Sequence, residues 1–385
     1  MATAKSEWLR DLETLVSEPI RLFLMVNTFE TGGSERQFVV LAQNLDRGMH
    51  VELGCIRGGG PFAEAFGRVP EFRLGGSLFG WKSLLTRWRL RSHLRALRIQ
   101  IAHAFDFYAN MTLVPAARLA RVPVVIGSHR QIGDLMTPAQ FRVQLAAFRF
   151  CDVVVCNSQA AADRLAESGI TSEKLAVIGN ALLPELFAPA SPTLPRKAGI
   201  LRVGMVARMN ARYKNHSGFL RIAARVKQQL PNVEFLLAGD GPLRAEVEQQ
   251  AESLGLKDAV VFLGDRRDIP AVHASMDIAV LTSDSESLSN VILEAMAAGL
   301  PVVAYRGGGN PELINDQRGS LVSAGNEVEF ADAIIQLLGN PSLREQCGRN
   351  ARVFAEEHFG LEGVRDRYQR LYRSLLVGKL GAFPA

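Results

Sequence analysis

The chain has 385 residues, of which 48% are hydrophobic and 22% charged, and its formal net charge is +5. This length predicts two domains with a cleft between them, and the composition excludes a disordered chain. We expect no nucleic-acid partner, because the excess of positive charge is small for a protein that binds a phosphate backbone.

The first twenty residues lack the uninterrupted apolar stretch of a signal peptide, and no apolar run is long enough to span a membrane. The four cysteines have no metal-site spacing and are expected to be reduced thiols, which suits a cytoplasmic protein. A short amphipathic helix is predicted before the first strand from the spacing of Trp8, Leu9, Leu12, Leu15 and Val16.

Short apolar runs alternate with stretches of helical periodicity through the first half of the chain. Runs of this kind predict a parallel sheet that is covered by helices on both faces. The predicted strands are RLFLMV (21–26), VELGCI (51–56), IQIAHAF (99–105), VPVVIGS (122–128) and DVVVCNS (152–158).

A proline-rich stretch, LLPELFAPASPTLPRKAG (182–199), interrupts this alternation and indicates a linker. The alternation then resumes, and the chain from about residue 340 is expected to be helical. The predicted strands of the second half are ILRVGMVAR (200–208), VEFLLAG (233–239), AVVFLG (259–264), DIAVLTS (277–283) and LPVVAY (300–305).

These patterns predict an α/β fold of two Rossmann-like, doubly wound domains with a cleft between them. We expect the first domain to comprise residues 1–187 and the second residues 188–360. A C-terminal helix over residues 361–385 is expected to pack back on the first domain.

The segment 73–98 is basic and carries tryptophan and leucine at helical spacing. No acidic residue lies between Glu71 and Asp106, whereas seven lysines and arginines do. One interpretation is an amphipathic helix that lies on an anionic membrane surface. The other is an ordinary helix of the first domain, with its basic face in water and its apolar residues in the core. The sequence leaves both open.

Two glutamates flank the start of an apolar helix in SDSESLSNVILEAMAAGLPVVAY (283–305). The helix is predicted to begin near Ser289 or Asn290, directly after a strand, so its first amide groups form an anion site suited to a diphosphate. Glu294 would lie about 7 Å along this helix, where a ribose could reach it. Glu286 could accept hydrogen bonds from a second sugar.

The alternative interpretation is that Glu286 is solvated and Glu294 is an ordinary residue of a helix face. The combination of a strand end, a helix start and two carboxylates favours a ligand site. The residues whose backbone amides would face the diphosphate are Leu288, Ser289, Asn290 and Val291.

The stretch ESLSNVILEAMAAGLPVVA resembles the signature of the retaining GT-B glycosyltransferases of family four, which include sucrose synthase, glycogen synthase and bacterial mannosyltransferases. GNPELI (309–314) resembles the motif that follows in that family. Ser287-Leu288-Ser289 stands where the family usually has Gly-Leu-Pro. The resemblance implies a GT-B fold and transfer of a sugar from a nucleotide sugar to a hydroxyl, with retention at the anomeric carbon.

The resemblance also implies roles for a basic pair in VGMVARMNARYKNH (203–216). Arg208 and Lys214 are expected to bind the diphosphate and to neutralise the charge of the leaving group. AGDGP (238–242) resembles the turn that follows the family's second strand in this domain, and Arg266 falls where the family places its nucleotide base.

In the first domain, Gly32 and Gly33 resemble the family's glycine loop, which closes over the donor diphosphate. His129, expected at a strand end facing the cleft, corresponds to a histidine that touches the donor sugar; the alternative is a structural histidine. The predicted catalytic residues are Glu286, His129, Arg208 and Lys214.

The predicted enzyme is a metal-independent retaining hexosyltransferase with no cofactor and a UDP- or GDP-sugar as donor. Its acceptor is expected to be a saccharide or lipid-linked molecule of cell-surface polysaccharide assembly. The enzyme is expected in the cytoplasm, and peripheral binding at the inner face of the cytoplasmic membrane is left open. A non-catalytic nucleotide-sugar-binding subunit and a GT-B nucleotide-sugar epimerase remain alternatives. A phosphorylase would need a pyridoxal lysine, and a dehydrogenase is disfavoured because no GxGxxG follows the first strand.

Overall fold

The structure is a computed structural model that describes residues 19–381. The predicted helix around Trp8 lies outside the described residues. The described chain forms two compact units, the first drawn from residues 19–181 and 362–381 and the second from residues 182–361.

The first unit is a six-stranded parallel sheet covered by helices. Its strands are β1 (Ile20–Val26), β2 (Met49–Cys55), β3 (Ile101–Ala104), β4 (Val124–His129), β5 (Val153–Cys156) and β6 (Leu175–Val177). The helices between them are α1 (Gly33–Asn44), α2 (Trp81–Ala96), α3 (Phe107–Ala120), α4 (Pro138–Arg149) and α5 (Gln159–Glu167). The strand order β2-β1-β3-β4-β5-β6 gives a topological switch point between β1 and β3.

The second unit repeats this architecture with another six-stranded parallel sheet. Its strands are β7 (Leu201–Val206), β8 (Val233–Ala238), β9 (Val260–Gly264), β10 (Ile278–Leu281), β11 (Val302–Tyr305) and β12 (Gly319–Val322). Its helices are α6 (His216–Gln229), α7 (Arg244–Ser253), α8 (Ile269–Ala274), α9 (Asn290–Ala297), α10 (Asn310–Leu313), α11 (Glu327–Gly339) and α12 (Pro341–Phe359). The order β12-β11-β10-β7-β8-β9 places the switch point between β7 and β10.

The last helix, α13 (Leu361–Gly381), packs in the first unit through buried side chains. The Tyr372 hydroxyl lies 2.8 Å from Nδ1 of His103 on β3, and Nε2 of the same ring lies 2.8 Å from the Ser128 hydroxyl on β4. Burial lowers the pKa of His103 to about 3, so its ring is neutral and can accept one of these hydrogen bonds.

The doubly wound α/β prediction is confirmed, and each of the ten predicted strands overlaps an observed one. Continuous apolar runs mark central strands correctly because these are buried on both faces. Strands β6 and β12 were not predicted; both are short and lie at the edges of their sheets. Among the described residues, no helix combines the length and apolar character needed to cross a bilayer.

Candidate functional site

Most of the predicted site residues of the second unit follow two adjacent strands. Arg208 and Lys214 lie after β7, and Glu286 lies after β10. Since β7 and β10 flank the switch point of this sheet, their carboxyl ends open on the crevice where doubly wound folds bind ligands.

Hydrogen bonds hold the loops after β7 and β10 together. The buried Thr282 hydroxyl donates to the Asn215 carbonyl at 2.9 Å, and the Asp284 amide donates to the Tyr213 carbonyl at 2.8 Å. Asn215 has a left-handed backbone (φ 55°), and its side chain caps α6 by accepting from the Gly218 amide. These bonds fix the backbone on both sides of Lys214.

The structure pairs Lys214 with Glu286. The Lys214 ammonium donates to Oε1 of Glu286 at 2.7 Å, and the two side chains are 22% and 14% exposed. The sequence analysis assigned these residues to different parts of a donor, the diphosphate and the sugar. The ion pair brings the two predicted site residues to one point and holds two long side chains in a fixed geometry.

A glycine turn fixes the backbone around Arg208, whose side chain is exposed. The Met209 amide donates to the Asp240 carbonyl at 2.9 Å. Gly239 has φ +136°, and a Cβ there would lie 2.0 Å from the Ala207 carbonyl oxygen. Only glycine allows this approach, so AGDGP has a specific structural role beside Arg208.

The helix α9 begins at Asn290, as predicted, and Ser289 caps it by accepting from the Ile292 amide at 3.4 Å. Leu288 and Ser289 are buried, while Asn290 and Val291 are partly buried. The Ser-Leu-Ser variant of the family motif therefore supplies a capped helix start.

The side chain of Glu286 is not solvated, as the alternative interpretation required it to be. Glu294 is only 4% exposed on α9, and Glu286 is largely shielded. The Gly309 amide donates to the Glu286 carbonyl at 3.2 Å, so the GNPELI segment supports the backbone of this residue.

Arg266 lies apart from this cluster in its hydrogen bonding. Its guanidinium donates twice to the Asp268 carboxylate, at 2.8 and 2.6 Å. The structure thus gives Arg266 a local partner that the sequence analysis did not anticipate, and its contact with a nucleotide base remains a prediction.

His129 ends β4, as predicted, but its ring is enclosed rather than open at the strand end. It has no solvent exposure and packs against Phe148 and Phe141, with Nδ1 lying 3.1 Å from the Gln144 amide nitrogen. The cause is α4, which carries these three side chains over the ring. Burial lowers the pKa of His129 to about 4, so the imidazole is neutral near pH 7.

Gly32 and Gly33 form the start of α1, where Gly32 is the N-cap. A Cβ on Gly32 would lie 2.0 Å from the Glu35 carboxylate, which therefore sits directly beside this helix start. Gly60, with φ +124°, lets its backbone approach Phe29 in the preceding loop. Glu35 lies two residues after the predicted glycine pair but was not singled out from the sequence, and Gly60 was not singled out because it belongs to no predicted motif.

Two six-stranded, doubly wound parallel units in one chain are the architecture of the GT-B fold. Residues 31–186 match Glycosyltransferase Family 4, and residues 194–354 match Glycosyl transferases group 1. The chain therefore belongs to the family four (group 1) glycosyltransferases.

Curated relatives and solved structures agree with this assignment. The chain is 30% identical over 245 residues to the lipopolysaccharide core biosynthesis glycosyltransferase LpsE of Rhizobium meliloti (strain 1021), covering 63% of this chain and 69% of that protein. It is 36% identical over 146 residues to N-acetyl-alpha-D-glucosaminyl L-malate synthase of Bacillus anthracis, but this match spans only 38% of either chain. Anabaena Alr3699/HepE, solved in complex with UDP, superposes with a TM-score of 0.80 at 25% identity, covering 92% of this chain and all of that one.

Proposed function

We propose that the chain is a metal-independent retaining hexosyltransferase. It transfers a sugar from a UDP- or GDP-sugar to a hydroxyl of a saccharide or lipid-linked acceptor in cell-surface polysaccharide assembly. The observation that carries the proposal is the Lys214–Glu286 ion pair, held by tied loops at the switch point of the second sheet. The name of LpsE supports sugar transfer in the assembly of a cell-surface polysaccharide, and the HepE complex with UDP supports a UDP-linked donor.

In this proposal Lys214 and Arg208 act on the diphosphate. As the bond to the anomeric carbon breaks, negative charge grows on the leaving phosphate oxygen, and the two cations stabilise it more than they stabilise the bound donor. Because Lys214 is already held by Glu286, little rearrangement is needed when the diphosphate binds. The backbone amides from Leu288 to Val291, at the start of α9, add further donors to the same anion.

Glu286 is proposed to orient the transferred sugar, and Glu294 to hold the ribose. An ionised carboxylate accepts hydrogen bonds only, so each residue can take two sugar hydroxyls at once. The implied route has the leaving group and the acceptor on the same face of the sugar, without a covalent enzyme intermediate.

The contributions of the first unit are proposed more broadly. Gly32 and Gly33 place backbone amides at a helix start for the donor phosphates. The neutral ring of His129 would contact the donor sugar only if α4 shifts to uncover it, because the ring is enclosed in the described structure. Arg266 would contact the nucleotide base after exchanging its bond to Asp268. The reaction would take place on the cytoplasmic side of the membrane.

A donor screen by thermal unfolding tests this proposal first. A UDP-, GDP- or ADP-sugar at about 100 times its dissociation constant should stabilise the protein by about 2.7 kcal/mol. The stabilising donor is then incubated with acceptor glycans, and products are identified by mass spectrometry and the anomeric proton signal. Acceptor-dependent product with retained configuration supports the proposal. Release of a 2-epimer without acceptor indicates the epimerase, and donor binding without any turnover indicates the non-catalytic subunit.

A further inference from the structure

One face of α2 exposes large apolar side chains to solvent. The exposed fractions are 73% for Trp81, 52% for Leu84, 46% for Leu85 and 58% for Trp88, and Phe79 just before the helix is 69% exposed. The four helical positions recur at the spacing of a single helix face. They therefore form one continuous stripe, which we call the α2 stripe, rather than scattered surface residues.

The opposite face of α2 is docked on its own unit, partly through polar groups. The buried Arg87 donates from Nε to the Met111 carbonyl at 3.1 Å and from Nη1 to the Ser83 hydroxyl at 2.8 Å. Thr86, also buried, donates to the Arg73 carbonyl at 2.6 Å. A helix that buries an arginine while exposing two tryptophans has the reverse of the usual sorting. The α2 stripe is thus not an unfilled part of this unit's core.

Cations flank the α2 stripe on both sides. At about 100° per residue, Lys82 and Arg89 fall along one edge of the stripe and Arg91 along the other. The Arg91 guanidinium lies 4.4 Å from the centre of the Trp88 ring, and its Nε donates to the carbonyl of the exposed Leu119. No carboxylate lies between residues 72 and 105. Glu71, which lines the same cavity as Arg89, is paired with Arg73.

We propose that the α2 stripe docks on a bilayer that contains anionic phospholipid. The aromatic and leucine side chains would enter the boundary between headgroups and acyl chains, and the flanking lysine and arginines would contact lipid phosphates. Tryptophan favours this boundary because its ring is apolar and its N–H remains hydrogen-bonded.

Charge decides between this occupant and a second copy of the chain. Two copies that met stripe to stripe would bring their cationic edges together without a carboxylate in the segment to offset them, which opposes association. An anionic surface matches both the apolar centre and the basic edges. Membrane docking rests on the proposed function only for its biological role, which is to bring the enzyme to a lipid-linked acceptor.

Tryptophan fluorescence offers a direct measurement, because the chain has three tryptophans and two of them belong to the α2 stripe. In a Trp8→Phe variant the emission reports on Trp81 and Trp88 alone. Vesicles of phosphatidylcholine with about one-third phosphatidylglycerol should shift this emission to shorter wavelength and co-sediment the protein. Phosphatidylcholine vesicles should do so much more weakly, and high salt should release the protein from the anionic ones.

Two double variants separate the apolar and cationic contributions. Leu84→Ser with Leu85→Ser should lower the vesicle partition coefficient about tenfold while keeping both reporter tryptophans. The matched control, Val328→Ser with Val353→Ser, changes two side chains of the second unit that are each 53% exposed, and should leave it unchanged.

Lys82→Gln with Arg89→Gln should lower partitioning onto anionic vesicles about thirtyfold. The matched control, Arg142→Gln with Arg225→Gln, removes two exposed arginines elsewhere and should have little effect. Absence of vesicle binding by the unmodified chain overturns the proposal, as does equal binding by all variants. A concentration-dependent blue shift without vesicles, with dimers in sedimentation velocity, also overturns it in favour of a second copy.

Vesicle binding is measured without donor or acceptor, so its failure is distinct from failure of the proposed sugar transfer. A chain that binds vesicles but transfers no sugar would support the membrane-docking proposal and contradict the proposed sugar transfer. A chain that transfers sugar to a soluble acceptor but ignores vesicles would do the reverse.

Discussion

Replacing Lys214 by alanine tests the core of the proposed mechanism. The substitution removes the 2.7 Å ion pair with Glu286 and one cation proposed for the leaving diphosphate. Removing one preorganised electrostatic contact to a developing charge typically lowers kcat by about 10²–10³, or about 2.7–4 kcal/mol. We expect a loss of this size in kcat/KM for sugar transfer.

The effect on folding should be smaller and separable. Both side chains retain some exposure, so the carboxylate of Glu286 can take up water when its partner is lost. We expect the free energy of unfolding to fall by about 1–3 kcal/mol, which leaves a domain of ordinary stability folded. Urea unfolding followed by circular dichroism measures this change beside the kinetics.

Lys257→Ala is the matched control. Lys257 also donates to a glutamate of the second unit, Glu252 at 2.8 Å, but this pair lies on the open surface. Its loss should change neither kcat/KM nor stability measurably. If Lys214→Ala remains folded and keeps kcat/KM within about threefold of the unmodified enzyme, the assigned role of the ion pair is wrong.

Three further predictions concern stability. Gly239→Ala should destabilise the second unit by about 3 kcal/mol in urea unfolding, because its Cβ would lie 2.0 Å from a carbonyl oxygen. The control Gly255→Ala, with φ +70° and no atom within 4 Å of its Cβ, should cost only about 1 kcal/mol. Tyr372→Phe should lower stability by about 1–3 kcal/mol in the same assay by removing a buried hydrogen bond. Burial lowers the pKa of His103 to about 3 and that of His273 to about 4, from a usual 6.5. As the pH falls below about 6.5, these histidines therefore take up protons in the unfolded chain but not in the folded chain. Stability should therefore fall on acidification, and His273→Gln should reduce the slope between pH 6 and pH 4 by up to about 1.4 kcal/mol per pH unit, measured by unfolding at fixed ionic strength.

Features of the structure that depend on neighbouring residues in the sequence were predicted better than features that depend on distant residues. Strands β1 to β5 are visible as apolar runs, and the start of α9 is visible from its position after β10 and from Ser289. The edge strands β6 and β12 lack a continuous buried apolar run, because β6 has no buried residue and β12 begins with Gly319 and Ser320. The enclosure of His129 depends on side chains of α4 that no sequence motif links to the end of β4.

The Lys214–Glu286 pair illustrates why a site can be located from sequence before its chemistry is understood. Each residue was found from its own motif, yet they lie 72 positions apart and no local spacing connects them. Their meeting depends on β7 and β10 being neighbours and on the hydrogen bond from Thr282 to the Asn215 carbonyl. Strand order is a property of the whole sheet, and the sequence predicts the strands more readily than their order.

The helix α2 shows the opposite limit, where the sequence reveals the composition but not the direction. Tryptophan and leucine at helical spacing normally indicate the face that packs inward. Here Leu90 and Leu94 do pack inward, but so do Ser83 and Arg87, whose hydrogen bonds make their burial tolerable. Because hydrogen-bonded polar side chains fill part of the buried face, the remaining apolar residues of α2 are not needed in the core. The sequence period shows which positions of a helix are apolar, but the elements packed against the helix decide which of those positions face water. In α2 the α2 stripe faces water and is available to an external surface.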